Sequence, residues 1–293
     1  MVVPIEEYSN STVPQMHNHL KRVELAEQLG FKAIWVRDVP THVPTFGDAG
    51  QTYDPFTYLG FLAARTSRIA LGVASIALPL HHPLHVAKSA ATLDQLTGGR
   101  FIMGIASGDR YEEYPAMNIN YNTRGESFRE AFNYIRQAQE NFPNMTNNKF
   151  GEFNGSIDIL PKPFGLKIPL LITGHSQQNT EWIAKNGDGW MYYPRNLYMQ
   201  EQNIKEWRAL IPETQKFDKP FLQPLYVDLQ EDDNFNPVGI HLGIRTGINY
   251  LIEYLLQLQS IGVNHLAINL RFNTNNIEKT MEALAKKLLS QFH

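Results

Sequence analysis

Apolar residues along this chain fall into short unbroken runs that alternate with longer stretches where they recur every three or four positions. The segment RIALGVASIALPLHHPLHVAKSAATLDQLTGGRFIMGIASG, residues 68–108, shows the alternation most plainly. Ile69–Ala74 is a continuous apolar run, the pattern of a parallel strand covered on both faces. Pro83, with φ preset for a first helical turn, opens a helix that Gly98-Gly99 ends, where a left-handed cap favours glycine. Phe101–Ala106 is a second buried strand, and Ser107-Gly108 leaves backbone exposed at its carboxyl end. Strand, helix and strand in this order make one βαβ unit.

The same alternation runs through the rest of the chain. Val2–Glu6 is a very short first strand, and a helix opened by Thr12-Val13-Pro14 carries Leu20, Val23, Leu25, Ala26 and Leu29 before Gly30 stops it. Ala33–Val36 is strand two, a polar loop covers 38–54, and helix two spans Pro55–Arg65. Strand three, helix three and strand four are the unit above; a loop over 109–123 leads to helix four, Arg124–Asn141, with Phe128, Ala131, Phe132 and Ile135 on one face. Residues 144–167 break the pattern with a hairpin or extended excursion at Phe150–Leu160, closed by Pro161-Lys162-Pro163. Then follow strand five (Leu170–Thr173), helix five (Gln177–Asn186), strand six (Gly189–Tyr192), helix six (Leu197–Leu210), strand seven (Pro220–Val227) and a polar insertion (Glu231–Val238). Helix seven (Gly247–Ile261), strand eight (His265–Asn269) and helix eight (Asn276–Leu289) complete the series. Eight strands and eight helices in order specify an α/β fold, a (β/α)8 TIM barrel formed by one domain over residues 1–293, with insertions after helix four and strand seven. The near-absent first strand leaves an edge and a hole, which predicts further residues upstream of Met1.

Charge and composition narrow the partners. Lys+Arg 26 against Asp+Glu 29 leaves a net charge of −3 with no basic block, so nucleic acid is a poor partner. The longest apolar run, Ile69–Leu80, is about half the ~20 residues that span a bilayer, and MVVPIEEYSN shows no signal peptide. With no cysteine the chain lacks disulfides, thiolate metal sites and a cysteine nucleophile. Cytoplasm is the compartment these features predict.

In such a barrel the working residues follow the carboxyl ends of the strands. That shortlist contains Arg37, Asp38, Ala74, Ser75, Ala106–Gly108, Thr173–Ser176, Tyr192, Tyr193, Asp228, Leu270 and Arg271. It holds no metal-spaced cluster and no Ser/His/Asp set, and its small, hydroxyl and aromatic residues suit a flat bound cofactor. Gly174-His175-Ser176 stands where a strand turns into a helix, so it either cradles an anion or supplies an ordinary cap. Arg124 at a helix start opposes the helix dipole; it binds a phosphate or is satisfied by Glu6, Asp109 or Glu126. His81 and His85 have helical i,i+4 spacing, but Pro83 places the helix start between them and no third ligand is near, so a helix start or subunit contact is preferred to a metal. Asp38 is a base or cofactor contact, or else pairs with Arg37 or caps the loop. Trp190 and Tyr192 share a strand face, with Tyr192 lining the ring site and Trp190 filling the barrel.

Several stretches together resemble the luciferase-like monooxygenase family, which includes bacterial luciferase, alkanesulfonate monooxygenases and deazaflavin-dependent dehydrogenases. They are AEQLGFKAIWVRD (26–38), the run from Thr66 to Gly108, TRGESFREA (123–131), PKPFGLKIPLLITGHSQQNTEWIAKNGDGWMYYPR (161–195) and, more weakly, IGVNHLAINL (261–270). The resemblance implies FMN, or less often F420, bound at the strand ends. Gly174, His175, Ser176 and Arg124 would hold its phosphate, a cis peptide at Ala74-Ser75 would back the ring, and Ala106 and Ser107 would lie beside the ring or its side chain. Bacterial luciferase has a cysteine where this chain has Ala106, so luciferase activity itself is not implied. Its histidine beyond strand two is replaced here by Asp38 and, further on, His42.

The resemblance therefore implies a two-component FMN monooxygenase, taking reduced flavin from a separate reductase and using oxygen on a small organic substrate. Asp38, His42 and Tyr192 are the candidate proton donors or acceptors. An F420-dependent dehydrogenase and a flavin-binding protein without catalysis are the alternatives. The resemblance also implies a homodimer packed through helices two and three, with Leu84, Val86, Ala87 and Ala90 as a compatible apolar face. Loops 39–53, 109–122 and 229–242 hold the substrate specificity.

Overall fold

The computed structural model describes residues 1–147, 149–215 and 219–292. In chain order these form α1 (His19–Gln28), β1 (Ala33–Val36), α2 (Pro55–Ala63), β2 (Ala70–Ala77), α3 (Pro83–Thr97), β3 (Phe101–Ala106), a short α4 (Glu113–Ala116) and α5 (Arg124–Ala138). A hairpin of β4 (Asn144–Asn147) and β5 (Gly151–Asn154) precedes β6 (Leu170–Thr173), α6 (Thr180–Asn186), β7 (Gly189–Met191) and α7 (Leu197–Leu210). The chain ends with β8 (Phe221–Leu229), β9 (Val238–Ile240), β10 (Gly243–Thr246), α8 (Ile248–Ser260), β11 (His265–Asn269) and α9 (Ile277–Ala283).

Seven parallel strands pair in the order β1, β2, β3, β6, β7, β8, β11. The eighth expected strand, Val2–Glu6, shrinks to a single bridge between Val2 and Trp35. Pro4 has no N–H to donate and Ile5 turns away at φ 56°, so pairing stops after three residues. Those three nevertheless join the ends of the sheet. The Val2 N–H donates to Ile268 O (2.8 Å), Val3 N–H to Trp35 O (2.9 Å) and Trp35 N–H to Met1 O (2.8 Å). Fold and element order are those of a (β/α)8 barrel.

Two apolar layers result. Inside the ring, Val2, Ala33, Trp35, Leu171, Met191, Leu222 and Ala267 form one cluster with Ala70, Ala74 and Ile102 packed against it. Trp35, 1% exposed, is the side chain that fills this space. Its ring lies over Gly72, its partner on β2, where a Cβ would come within 2.4 Å of the indole. Outside the ring, a larger cluster fills the space between strands and helices. Trp190 belongs to this outer layer, against Trp207 and Phe221, so it does not fill the barrel. Strand alternation beside Met191, which does point inward, is the reason.

Several boundaries depart from the pattern. Helix one begins at His19, because Met16 and Asn18 take left-handed φ of 61° and 56°. Helix five begins at Thr180, capped by the Asn179 side chain on the Trp182 N–H (2.8 Å). The hairpin after α5 covers 144–154, earlier than expected, and the following segment lies along α3, with the Phe164 N–H on Asp94 Oδ2 (2.8 Å). The insertion after strand seven becomes β9 and β10; β10 pairs with the upper half of β8, where β11 has already ended. The α3 face expected at a dimer contact turns inward: Val86, Ala87 and Ala90 are 2%, 3% and 0% exposed and belong to this chain's own core.

Candidate active site

A cleft of about 310 Å³ opens at the carboxyl ends of the strands. Asp38 and all eight residues expected at a cofactor, Ala74, Ser75, Ala106, Ser107, Arg124, Gly174, His175 and Ser176, line it. His42 does not; it is exposed and meets Thr12 Oγ1 at 3.1 Å. Tyr192 does not either, since its hydroxyl faces His175 Nε2 at 3.3 Å and its ring packs on Trp190. Its neighbour Tyr193 takes the place on the cleft wall.

The middle wall depends on how β2 ends. Ala74–Ser75 is a cis peptide, and the register against β3 jumps from Val73↔Met103 to Ile76↔Ile105. A bulge of this kind re-aims backbone that would otherwise continue the ladder. Gly104 makes room for it, since a Cβ there would stand 2.5 Å from Val73 O.

One end of the cleft is formed by the loop before α6 and the start of α5. Gly174, Ser176 and Gln177 all have positive φ (58°, 48° and 60°), so the chain curls before α6 instead of entering it directly. Ser176 Oγ donates to Thr173 O (2.8 Å), and Asn179, not Ser176 or His175, caps the helix. Gly125 lets the start of α5 close on this loop: a Cβ there would meet Gln177 Cβ at 2.7 Å, and Gln178 Nε2 donates to Gly125 O (2.9 Å). Arg124 faces the same space. Its guanidinium lies 3.7 Å above the Tyr121 ring and gives one hydrogen bond to Tyr121 O, and its buried Nε has no partner. Asp109 acts on it through charge alone, and among the described residues no carboxylate forms a close ion pair with it. A cation with an unpartnered Nε thus stands beside a loop of positive φ before α6, an arrangement that suits an anion.

The model of the luciferase-like monooxygenase family matches residues 1–223, three quarters of the chain and all of this cleft. The chain belongs to the luciferase-like monooxygenase family. It is 34% identical to an uncharacterised protein of Mycobacterium tuberculosis, over 60% of this chain and 68% of that one. It is 31% identical to the alkanal monooxygenase beta chain of Photorhabdus luminescens, over 61% of this chain and 55% of the relative, so it spans about half of that protein. Among solved structures, monooxygenase RslO1 from Streptomyces bottropensis superposes with TM-score 0.80 at 19% identity, covering 100% of this chain and 97% of that one. An F420-dependent secondary alcohol dehydrogenase superposes with TM-score 0.75 at 15% identity, covering 93% and 94%. The protein is thus an enzyme of the luciferase-like family.

In this luciferase-like enzyme the two acids and the histidines at the mouth take partners that spacing did not reveal. Asp38, its side chain 2% exposed, accepts from the Ala77 N–H (3.0 Å) and from His81 Nε2 (2.6 Å). It does not pair with Arg37. Burial opposes charge on His81, but the hydrogen bond and charge of Asp38 outweigh it and hold the imidazole above its usual pKa. Arg37 turns to Asp48, with Nη1 on Oδ2 at 2.9 Å. Arg110 lies 4.4 Å over the Phe46 ring and donates from Nη2 to Asp48 O (2.9 Å), clasping the loop after β1 to the loop after β3. Beside the cleft is a second cavity of about 150 Å³, lined by Trp35, Met191, Tyr192, Tyr226 and Leu242 among others. Arg37, Ala74, Thr173 and Tyr193 border both spaces. His81, Asp48 and Tyr226 carried no local signal, because the residues that give them a role lie 43, 11 and 178 positions away.

Proposed function

We propose that this protein is a two-component FMN monooxygenase, taking reduced flavin from a separate reductase and oxygenating a small organic substrate in the cytoplasm. The carrying observation is Arg124, a cation without a close acidic partner beside the Gly174–Gln177 loop. Bound reduced flavin would supply the electrons by which oxygen is activated. The chain supplies the rest. Arg124 and the loop amides hold the phosphate with charge-assisted hydrogen bonds, worth more than neutral ones, while the Ser176 hydroxyl, donating to Thr173 O, braces the loop. Ala74, Ser75 and Ala106 offer small side chains to a flat ring, and Ser107 offers backbone whose carbonyl is already taken by the Tyr114 hydroxyl. Val39 and Phe46 on the loop after β1 cover the cleft and limit water. Asp38 is our choice for the proton-handling group, since it borders the cleft while His42 and Tyr192 face elsewhere.

A second reading is an F420-dependent dehydrogenase, transferring hydride without oxygen; it is favoured by the F420-dependent neighbour and shares the same phosphate anchor. A homodimer in either case would use side chains such as Phe61 and Leu96, exposed on α2 and α3. Fluorescence titration with FMN, reduced FMN and F420 separates the readings. Reduced FMN should bind best, and Arg124→Ala should weaken it roughly ten- to a hundred-fold, the loss of one or two charged hydrogen bonds. Ser176→Ala should cost less. Preference for F420 would install the second reading, and no binding to any of the three would reject both.

A further inference from the structure

In the wall beside the two cavities two guanidiniums share a single carboxylate. Asp48 is the acid of this cluster, and its Oδ2 receives both Arg37 Nη1 (2.9 Å) and Arg271 Nη1 (3.2 Å). The Tyr8 hydroxyl (3.1 Å) and Gly50 N–H (2.9 Å) fill Oδ1, and the Tyr226 hydroxyl approaches Oδ2 at 3.3 Å. One carboxylate saturated with donors thus serves two guanidiniums. Arg271 has further acceptors in Ser11 O and Gly47 O, both at 2.9 Å. Arg37 has only the Tyr8 hydroxyl at 3.3 Å besides Asp48, and its buried Nε is without a partner. Tyr8 and Tyr226 do not supply a second anion, because burial raises the pKa of both phenols. A buried donor left unpaired is costly, and an arginine fork suits a planar, delocalised anion.

We propose that Arg37 is an anion-recognition residue at the junction of the two cavities, taking a carboxylate-like group of a ligand bound there. This rests on the cleft being the ligand site of the enzyme, though not on which cofactor occupies it. Two sources carry that chemistry: a substrate carboxylate or enolate, and the anionic edge of a reduced cofactor ring. Arg124 is a separate anchor at the start of α5, where its guanidinium donates to Tyr121 O.

Calorimetric titration of the protein with benzoate and with benzamide, alike in shape and different in charge, tests the proposal without cofactor. Benzoate should bind at least tenfold tighter. Arg37→Gln should erase the difference, Arg37→Lys should keep part of it, and Arg124→Ala should leave it intact. Arg37→Gln should still fold, since Asp48 retains Arg271, Tyr8, Tyr226 and Gly50; thermal unfolding checks this, and Arg37→Lys preserves the charge. Parallel titrations with oxidised and reduced FMN identify the source. If benzoate shows no preference but Arg37→Gln abolishes an advantage of reduced over oxidised FMN, the anion belongs to the cofactor ring. A benzoate preference in a protein that binds no cofactor sustains the proposal and rejects the flavin reading. Benzoate and benzamide binding alike, with FMN affinities that do not respond to Arg37→Gln, overturns it. So does a benzoate preference that follows Arg124 instead.

Discussion

The two ends of the barrel are made from the same strands and do opposite things with charge. At the amino-terminal end, apart from the excursion over 139–169, the connections are short, and polar groups close helices or brace turns. Lys219 Nζ donates to Ala184 O (2.6 Å) and Lys185 O (3.4 Å) at the end of α6, and Asp188 is held by Arg136, Lys167 and the Leu170 N–H. The Trp35 Nε1–H donates to His265 Nε2 (2.9 Å), and burial pushes that imidazole down to about 4, so it is neutral. At the carboxyl-terminal end the loops are long and their charges are shared unevenly. Arg124 has no acid in close contact, Arg37 and Arg271 divide one, and His81 is held toward its charged form by Asp38. Cations in a concave place with donors left unpartnered can take a ligand, whereas charge consumed in capping cannot. That contrast locates the function.

The contrast can be attacked at its hinge, the glycine-lined β2–β3 junction on which the mouth is built. Gly104→Ala drives a Cβ to 2.5 Å from Val73 O and 3.0 Å from Met191 Sδ. Overpacking against backbone should cost about 2–3 kcal/mol in urea unfolding. Gly165→Ala, with open space around it, should change stability by less than about 0.5 kcal/mol. Equal effects would show that the junction is not a tight fit.

An effect of similar total size, spread over several pH units, should come from the neutral histidine at the floor. His265 is depressed from 6.5 to about 4, so the unfolded chain takes up its proton first as pH falls. Stability should be intact above pH 6.5 and decline between 6.5 and 4, by up to about 1.4 kcal/mol per unit. His265→Gln, which can still accept from Trp35, should flatten that part of the profile. An unchanged slope would mean that the floor is wetter than its lining implies.

The smallest effect belongs to the mouth and has the opposite sign. His81 is raised above 6.5, so its pairing with Asp38 is fully stabilising below that pH and is lost as pH rises through the folded value. With the His81 side chain 27% exposed, solvent screening should keep the change under about 1 kcal/mol. Asp38→Asn should bring the His81 titration, followed by NMR, down to 6.5 or lower. If it stays raised, Asp38 is not the cause.

Much of the fold was legible because buried parallel strands must be apolar throughout, and Pro83 and Gly98-Gly99 mark helix ends by backbone rules alone. The cleft residues at strand ends were legible for a related reason, since any barrel of this kind gathers them at one face. Side-chain direction was not. Trp190 packs outward and Trp35 inward, although both stand in apolar strands, because the choice depends on what faces each residue across the sheet. By the same alternation Tyr193 reaches the cleft and Tyr192, expected there, does not.

The amino-acid sequence by itself therefore determined the order of elements, the barrel and the set of backbone positions at its mouth, since these follow from periodicity and local backbone preference. Only the tertiary structure decided which charges pair closely and which do not. Asp38 goes to His81, Asp48 goes to Arg37 and Arg271, and Arg124 goes to none, because ion pairing depends on distance in space between residues far apart in the chain.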